Sequence, residues 1–125
     1  MRFIAWNYTA KTPMPRRAAL TRWDELAQEK LTEMVSRKVI SGARHTMAQV
    51  WFKKGALVAR HLHESEQMTY VLDGALRCTI DGEDLVVRAG EVMVIPSGVP
   101  HQIEVLEDSL VIDTFSPARG DWAEM

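Results

Sequence analysis

A chain of 125 residues with 46% hydrophobic and 26% charged side chains has the size and balance of one soluble domain that can bury a core without disulfide support. A formal net charge of −2 argues against a general nucleic-acid or anionic-membrane partner, and no apolar run approaches the ~20 residues of a bilayer span. The one cysteine, Cys78, cannot form an internal disulfide and alternates with Leu76 and Ile80, so it reads as a buried, inert thiol.

The N-terminal residues 1–15 carry Phe3, Ile4, Trp6 and Tyr8 ahead of Pro13 and Pro15 and lack an apolar run followed by a small-residue cleavage site. A cytoplasmic location is the default. An arm this apolar is expected to cover its own barrel or that of a partner subunit. From Arg16 to Met34 the apolar residues Leu20, Trp23, Leu26, Ala27, Leu31 and Met34 fall near helical spacing, with Thr21 placed as a cap. One short helix on the outside of the domain is expected there.

After Ser36 the pattern turns to short extended runs. Strands are expected over Arg37–Ile40, Thr46–Phe52, Leu57–His63, Gln67–Leu72, Ala75–Ile80, Glu83–Val87, Glu91–Ile95, His101–Val105 and Ser109–Phe115. Turn residues punctuate them, and the Asp-Gly pairs at 73–74 and 81–82 are hairpin signals. Many short strands without a repeat or a βαβ pattern indicate an all-β barrel or sandwich. Met47, Gln49 and Trp51 share one strand face, suited either to lining a pocket or to packing in a core. Arg60, Glu64, Lys53, Lys54, Glu104, Glu107 and Asp108 read as solvated charges, and His45 as an ordinary loop or strand-end histidine.

Within Gly55–Gly74, His61 and His63 are one residue apart. In an extended strand they project from the same side with Cα atoms about 7 Å apart, a spacing that suits two ligands of one ion. Downstream, Gly90, Pro96 and Gly98 bound an apolar strand and lead to His101, which a barrel can place on a neighbouring strand. Together the two stretches resemble the two signature motifs of the cupin superfamily. The first runs Gly55, five residues, His61, one residue, His63, three residues, Gln67, six residues, Gly74; the second runs Gly90, five residues, Pro96, one residue, Gly98, two residues, His101. Fifteen residues separate Gly74 from Gly90, as in a small single-barrel cupin.

That resemblance implies a double-stranded β-helix, or jelly-roll, barrel over residues 36–116, preceded by the arm and short helix of 1–35 and followed by a tail of 117–125. It departs from the family at two positions. Gln67 stands where a glutamate is usual, and Val105 where an asparagine often stands. Counting from both ends selects position 67, and alternation turns Glu66 away from it. The implied ligand set is His61, His63, Gln67 and His101 around a divalent transition metal: Zn, Ni, Mn or Fe, with Cu also suited to imidazole. A shell without a carboxylate leaves the ion its full formal charge as a Lewis acid.

Gln67 also removes a carboxylate base. Asp113, among apolar residues and sharing a strand face with Val111 and Phe115, either points into the barrel as a base or faces solvent at a strand end; the two readings weigh equally on sequence. The order His-Leu-His, Gln67, His101, then DTFSPARGDW, is similar to that of small cupins of pectin and alginate breakdown, which open 4,5-unsaturated uronates to linear keto sugars. That likeness implies catalytic roles for Asp113, Phe115 and Arg119 and a small carboxylate-bearing substrate. A homodimer is the expected assembly, because such barrels often pair. Two alternatives stand beside this reading: a cupin dioxygenase of diones or flavonols, and a non-catalytic sugar- or metabolite-binding cupin.

Overall fold

The computed structural model describes residues 18–120. Among these residues ten strands form two antiparallel sheets. They are β1 (Glu29–Lys30), β2 (Val35–Ser41), β3 (Thr46–Phe52), β4 (Leu57–His61), β5 (Glu66–Asp73), β6 (Ala75–Ile80), β7 (Glu83–Arg88), β8 (Val92–Ile95), β9 (His101–Val105) and β10 (Ser109–Ser116). The larger sheet runs in the order β1-β2-β3-β10-β5-β8, the smaller in the order β4-β9-β6-β7. The architecture is an all-β barrel, as the strand pattern led one to expect, and the jelly roll that the family resemblance implied; among the described residues no helix is long and apolar enough to cross a membrane.

The alternation of side chains does most of the sorting. In β3, Thr46, Ala48, Val50 and Phe52 are buried; in β10, Ser109, Val111, Asp113 and Phe115 are buried. These inward rows meet Val71 of β5 and, from the other sheet, Leu76, Cys78, Ile103 and Val105 in one core. Met47, Gln49 and Trp51 therefore face away from the barrel interior, Met47 at 42% exposure, and neither line its pocket nor fill its core.

No α-helix forms over residues 18–34. The apolar spacing of residues 16–34 yields only a 3-10 turn at Trp23–Glu25, followed by β1. Leu20 is 82% exposed and Leu31 44%, so the spacing marks no buried stripe, and Thr21 makes no side-chain cap. The open edge of β2 offers backbone partners that a short helix cannot match: Glu29 pairs with Arg37 and Lys30 with Ser36. Arg37, buried to 1% exposure, lies 3.9 Å from the Glu29 carboxylate and ties this edge strand down by charge as well. The expectation for the aromatic arm of residues 1–15 falls outside the described residues.

The two Asp-Gly pairs have different fates. Ile80 pairs directly with Glu83, and Asp81 and Gly82 both take positive φ, 49° and 84°, the two-residue turn whose twist suits a hairpin. Asp73-Gly74 is no hairpin: β5 and β6 belong to different sheets, and the pair turns the corner between them. Gly74 (φ 97°) passes against Asp108 and Ser109 so closely that a Cβ there would collide with the Ser109 side chain. A glycine is needed for close approach as well as for its backbone angle.

Candidate metal centre and its carboxylate wall

Three histidines converge at one end of the barrel. His61, the last residue of β4, is the cross-strand partner of His101, the first of β9. Their ring centroids are 4.3 Å apart, and that of His63 lies 5.5 Å from His61 and 4.9 Å from His101. One nitrogen from each ring falls within 4.8 Å of the others. His63 does not extend the strand as expected. β4 ends at His61 after an irregularity between Val58 and His61, and His63 stands in the bend beyond, where its carbonyl accepts the Gly98 N–H at 2.9 Å. The second glycine motif thus holds the loop of the first.

Hydrogen bonds orient all three rings in one way. His61 Nδ1 lies 2.9 Å from the Ala59 carbonyl, His63 Nδ1 2.8 Å from that of Ser65, and His101 Nδ1 2.8 Å from that of Val99. A carbonyl only accepts, so each Nδ1 carries the proton and each Nε2 keeps its lone pair. Burial lowers the pKa of His63 and His101, offset in part by the Ser65 and Val99 carbonyls and reinforced by Arg119 and the neighbouring imidazoles.

Gln67 of β5 lies beside the three rings. Buried to 4% exposure, it donates through Nε2 to Thr69 Oγ1 at 3.0 Å and to Asp113 Oδ1 at 3.3 Å, which turns Oε1 toward His63 Nε2 at 3.0 Å. Two lone-pair atoms at that distance repel unless a positive centre lies against both. His101 Nε2 is likewise buried without a hydrogen-bond partner. Neutral imidazoles presenting Nε2, an amide oxygen forced onto one of them and an orphaned acceptor are what a divalent transition ion requires, so the residues present fit one. Glu66 is exposed, as strand alternation demanded.

Asp113 resolves inward. It is 6% exposed and accepts a 2.6 Å hydrogen bond from Thr69 Oγ1 besides that from Gln67. Burial pushes its carboxyl up to about 6, against the opposing pull of Thr69, Gln67 and Arg119. Thr69 is the residue that sequence reasoning missed; its parity with Gln67 on β5 was the available signal, and its pairing with Asp113 came only with the structure. Phe115, the cross-strand partner of Gln67, sets its ring edge-on to His63 at 5.7 Å, and the Arg119 guanidinium lies 5.1 Å over that ring. Arg60, Glu64 and His45 are exposed, consistent with their reading as surface groups. A groove of about 670 Å³ between Lys30, Trp51 and Leu110 is separate from this site and includes none of its residues.

A protein-family model described as Cupin_2, a cupin domain, matches residues 48–112, which span both histidine motifs. The chain is 34% identical over 102 residues to the pectin degradation protein KdgF of Dickeya dadantii, covering 79% of this chain and 93% of that protein. The solved structure of KdgF from a Halomonas species superposes with a TM-score of 0.79 at 31% identity, covering 85% of this chain and 99% of the other. An RmlC-like cupin from Shewanella frigidimarina follows, with a TM-score of 0.78 at 28% identity over 85% and 96% of the two chains.

Proposed function

We propose, from the premise that this chain belongs to the cupin family, that it is a metal-dependent enzyme that opens 4,5-unsaturated uronates to linear keto sugars. The observation that carries the proposal is one wall of the barrel in which Gln67 touches both the histidine cluster and Asp113, with Phe115 and Arg119 beside them. The likeness to proteins called pectin degradation protein points to the same substrate class.

In this reading His61, His63, Gln67 and His101 hold a divalent transition ion, which when bound supplies Lewis-acid polarisation of substrate oxygens. Arg119 pairs with the substrate carboxylate, for which a planar guanidinium is suited. Phe115 walls the sugar ring and keeps Arg119 stacked. Asp113 takes the proton of the anomeric hydroxyl. As the C1 carbonyl forms, the bond from C1 to the ring oxygen breaks and its electron pair leaves an enolate. Asp113 returns the proton to C4, giving the keto group at C5. Atoms and charge balance, so the reaction is an isomerisation. A carboxyl held near 6 is ionised at neutral pH yet basic enough to recover the proton.

The proposed assembly is a homodimer, and the outer face of the larger sheet supports it. Met47, Met68, Tyr70, Leu72, Val92 and Val94 are each 40–53% exposed there. Cross-strand register makes the patch continuous: Met47, Thr114, Met68 and Val94 form one row, and Gln49, Ile112, Tyr70 and Val92 the next. A continuous exposed apolar patch of this kind marks an interaction site, and a standard interface draws roughly 800 Å² from each partner. A second copy laid face to face would bury it.

The deciding experiment is an ultraviolet assay of the protein, with its metal measured by elemental analysis, on unsaturated galacturonate. Loss of the absorbance of the conjugated double bond supports the reading. An unchanged spectrum with saturable binding means a metabolite-binding cupin instead.

A further inference from the structure

The segment that carries Arg119 leaves β10 and is held at two points by side chains outside the ligand set. Ser65 Oγ donates to the Pro117 carbonyl at 2.6 Å, bridging 52 positions of sequence. The Arg119 N–H donates to Thr46 Oγ1 at 2.8 Å, and that hydroxyl lies 2.8 Å from Ser41 Oγ. Ser65 and Thr46 are buried, at 5% and 0% exposure. Ser65 also faces the metal centre through its backbone, since its carbonyl orients His63. The contacts close into a ring: His63 to Ser65, Ser65 to Pro117, then along the chain to Arg119, over Phe115 and back to His63.

We infer that Ser65, with Thr46 as the second pin, is a positioning residue that fixes the Arg119 guanidinium at a set place relative to the histidine cluster and so determines selectivity for a substrate bearing a carboxylate. The inference rests on the reading of Arg119 as the carboxylate partner. The physical reason is division of labour within one residue. The Ser65 carbonyl serves the ligand ring and the hydroxyl serves the tail, so distance between ligand and carboxylate anchor is set by one short link. Removing the hydroxyl leaves the Ser65 carbonyl in place but frees the segment carrying Arg119. Ordering that segment is then a cost of each binding event.

The test is a double-mutant cycle read by titration calorimetry with unsaturated galacturonate on metal-loaded protein in an Asp113→Asn background, where turnover does not interfere. Ser65→Ala is expected to weaken binding about 3- to 10-fold with metal content unchanged. Ser65→Thr, which keeps the hydroxyl, recovers part of the loss. In an Arg119→Ala background the further effect of Ser65→Ala falls below about 2-fold. Thr46→Val, isosteric but lacking the acceptor, should behave as Ser65→Ala does. Parental affinity in both Ser65→Ala and Thr46→Val, an undiminished effect of Ser65→Ala when Arg119 is absent, or loss of metal from Ser65→Ala each overturns the inference while leaving Arg119 its role. Unchanged affinity in Arg119→Ala removes the carboxylate reading and this inference with it.

Discussion

Gln67 and Asp113 are joined by a 3.3 Å hydrogen bond from amide nitrogen to carboxylate, and the same amide presents its oxygen to His63 at 3.0 Å. One side chain therefore touches the proposed ligand set and the proposed base with opposite ends. A glutamate in its place would offer only acceptors, and one of them would face Asp113.

Gln67→Glu is accordingly expected to keep the metal but impair the reaction. A second carboxylate against Asp113 raises the Asp113 pKa further, so less of the base is ionised at pH 7. Turnover should fall about 10- to 100-fold with the optimum displaced to higher pH. Elemental analysis and a pH profile check this, and a more active variant with an unmoved profile would contradict it.

Asp113→Asn removes the proton carrier while preserving shape. Turnover should drop by about 10²- to 10⁴-fold with metal stoichiometry intact. Because Thr69 Oγ1 can still donate to the asparagine oxygen, folding should survive. Near-normal rates in this variant would take Asp113 out of the mechanism.

Metal retention should follow the state of the imidazoles. The sign is set by the lowered pKa values of His63 and His101: protons are favoured in the unfolded chain and in acid. Stability from these rings is complete above the ordinary imidazole range and is lost as pH falls through their lowered values. The ion should therefore stay bound at pH 7 and be released as the pH falls below the ordinary imidazole range, as measured by dialysis and elemental analysis. Chelation at pH 7 should lower Tm by several degrees, and His101→Ala should prevent reloading.

Cys78 is fully buried, and desolvation, followed by the charge of Asp113, pushes its thiol up to about 12. It should resist alkylation at pH 8 until the protein unfolds. Its contribution to stability is complete below the ordinary thiol value and erodes as pH rises toward 12. Mass spectrometry after pulse alkylation across a denaturant series reads the result; prompt labelling of the native protein would be inconsistent with this packing.

Charge placed on the outer sheet face should abolish pairing. If the parent sediments as the proposed dimer, Met68→Glu and Tyr70→Glu are expected to give monomers at the same concentrations, with fold and metal content retained. A dimer that persists through both substitutions would put the interface elsewhere.

Local patterning was enough to mark the strands from β2 onward, the Asp81-Gly82 hairpin and the two histidine motifs, because each depends on residues close in sequence. It also separated Gln67 from Glu66, since neighbours on a strand must point to opposite faces. Period-two alternation says which residues share a face and not which face turns inward. That choice depends on strand pairing, and it put Asp113 inside and Met47, Gln49 and Trp51 outside. Pairing likewise overrode the helical spacing of residues 16–34, because the edge of β2 supplied hydrogen bonds that the isolated segment lacked. The orientation of His63 by Ser65, and the pinning of Arg119 by Thr46 across 73 positions, join segments brought together only by closure of the barrel. The chemical groups of the site were legible in order along the chain; their distances and protonation depended on packing, which alone supplies buried hydrogen bonds and removes water.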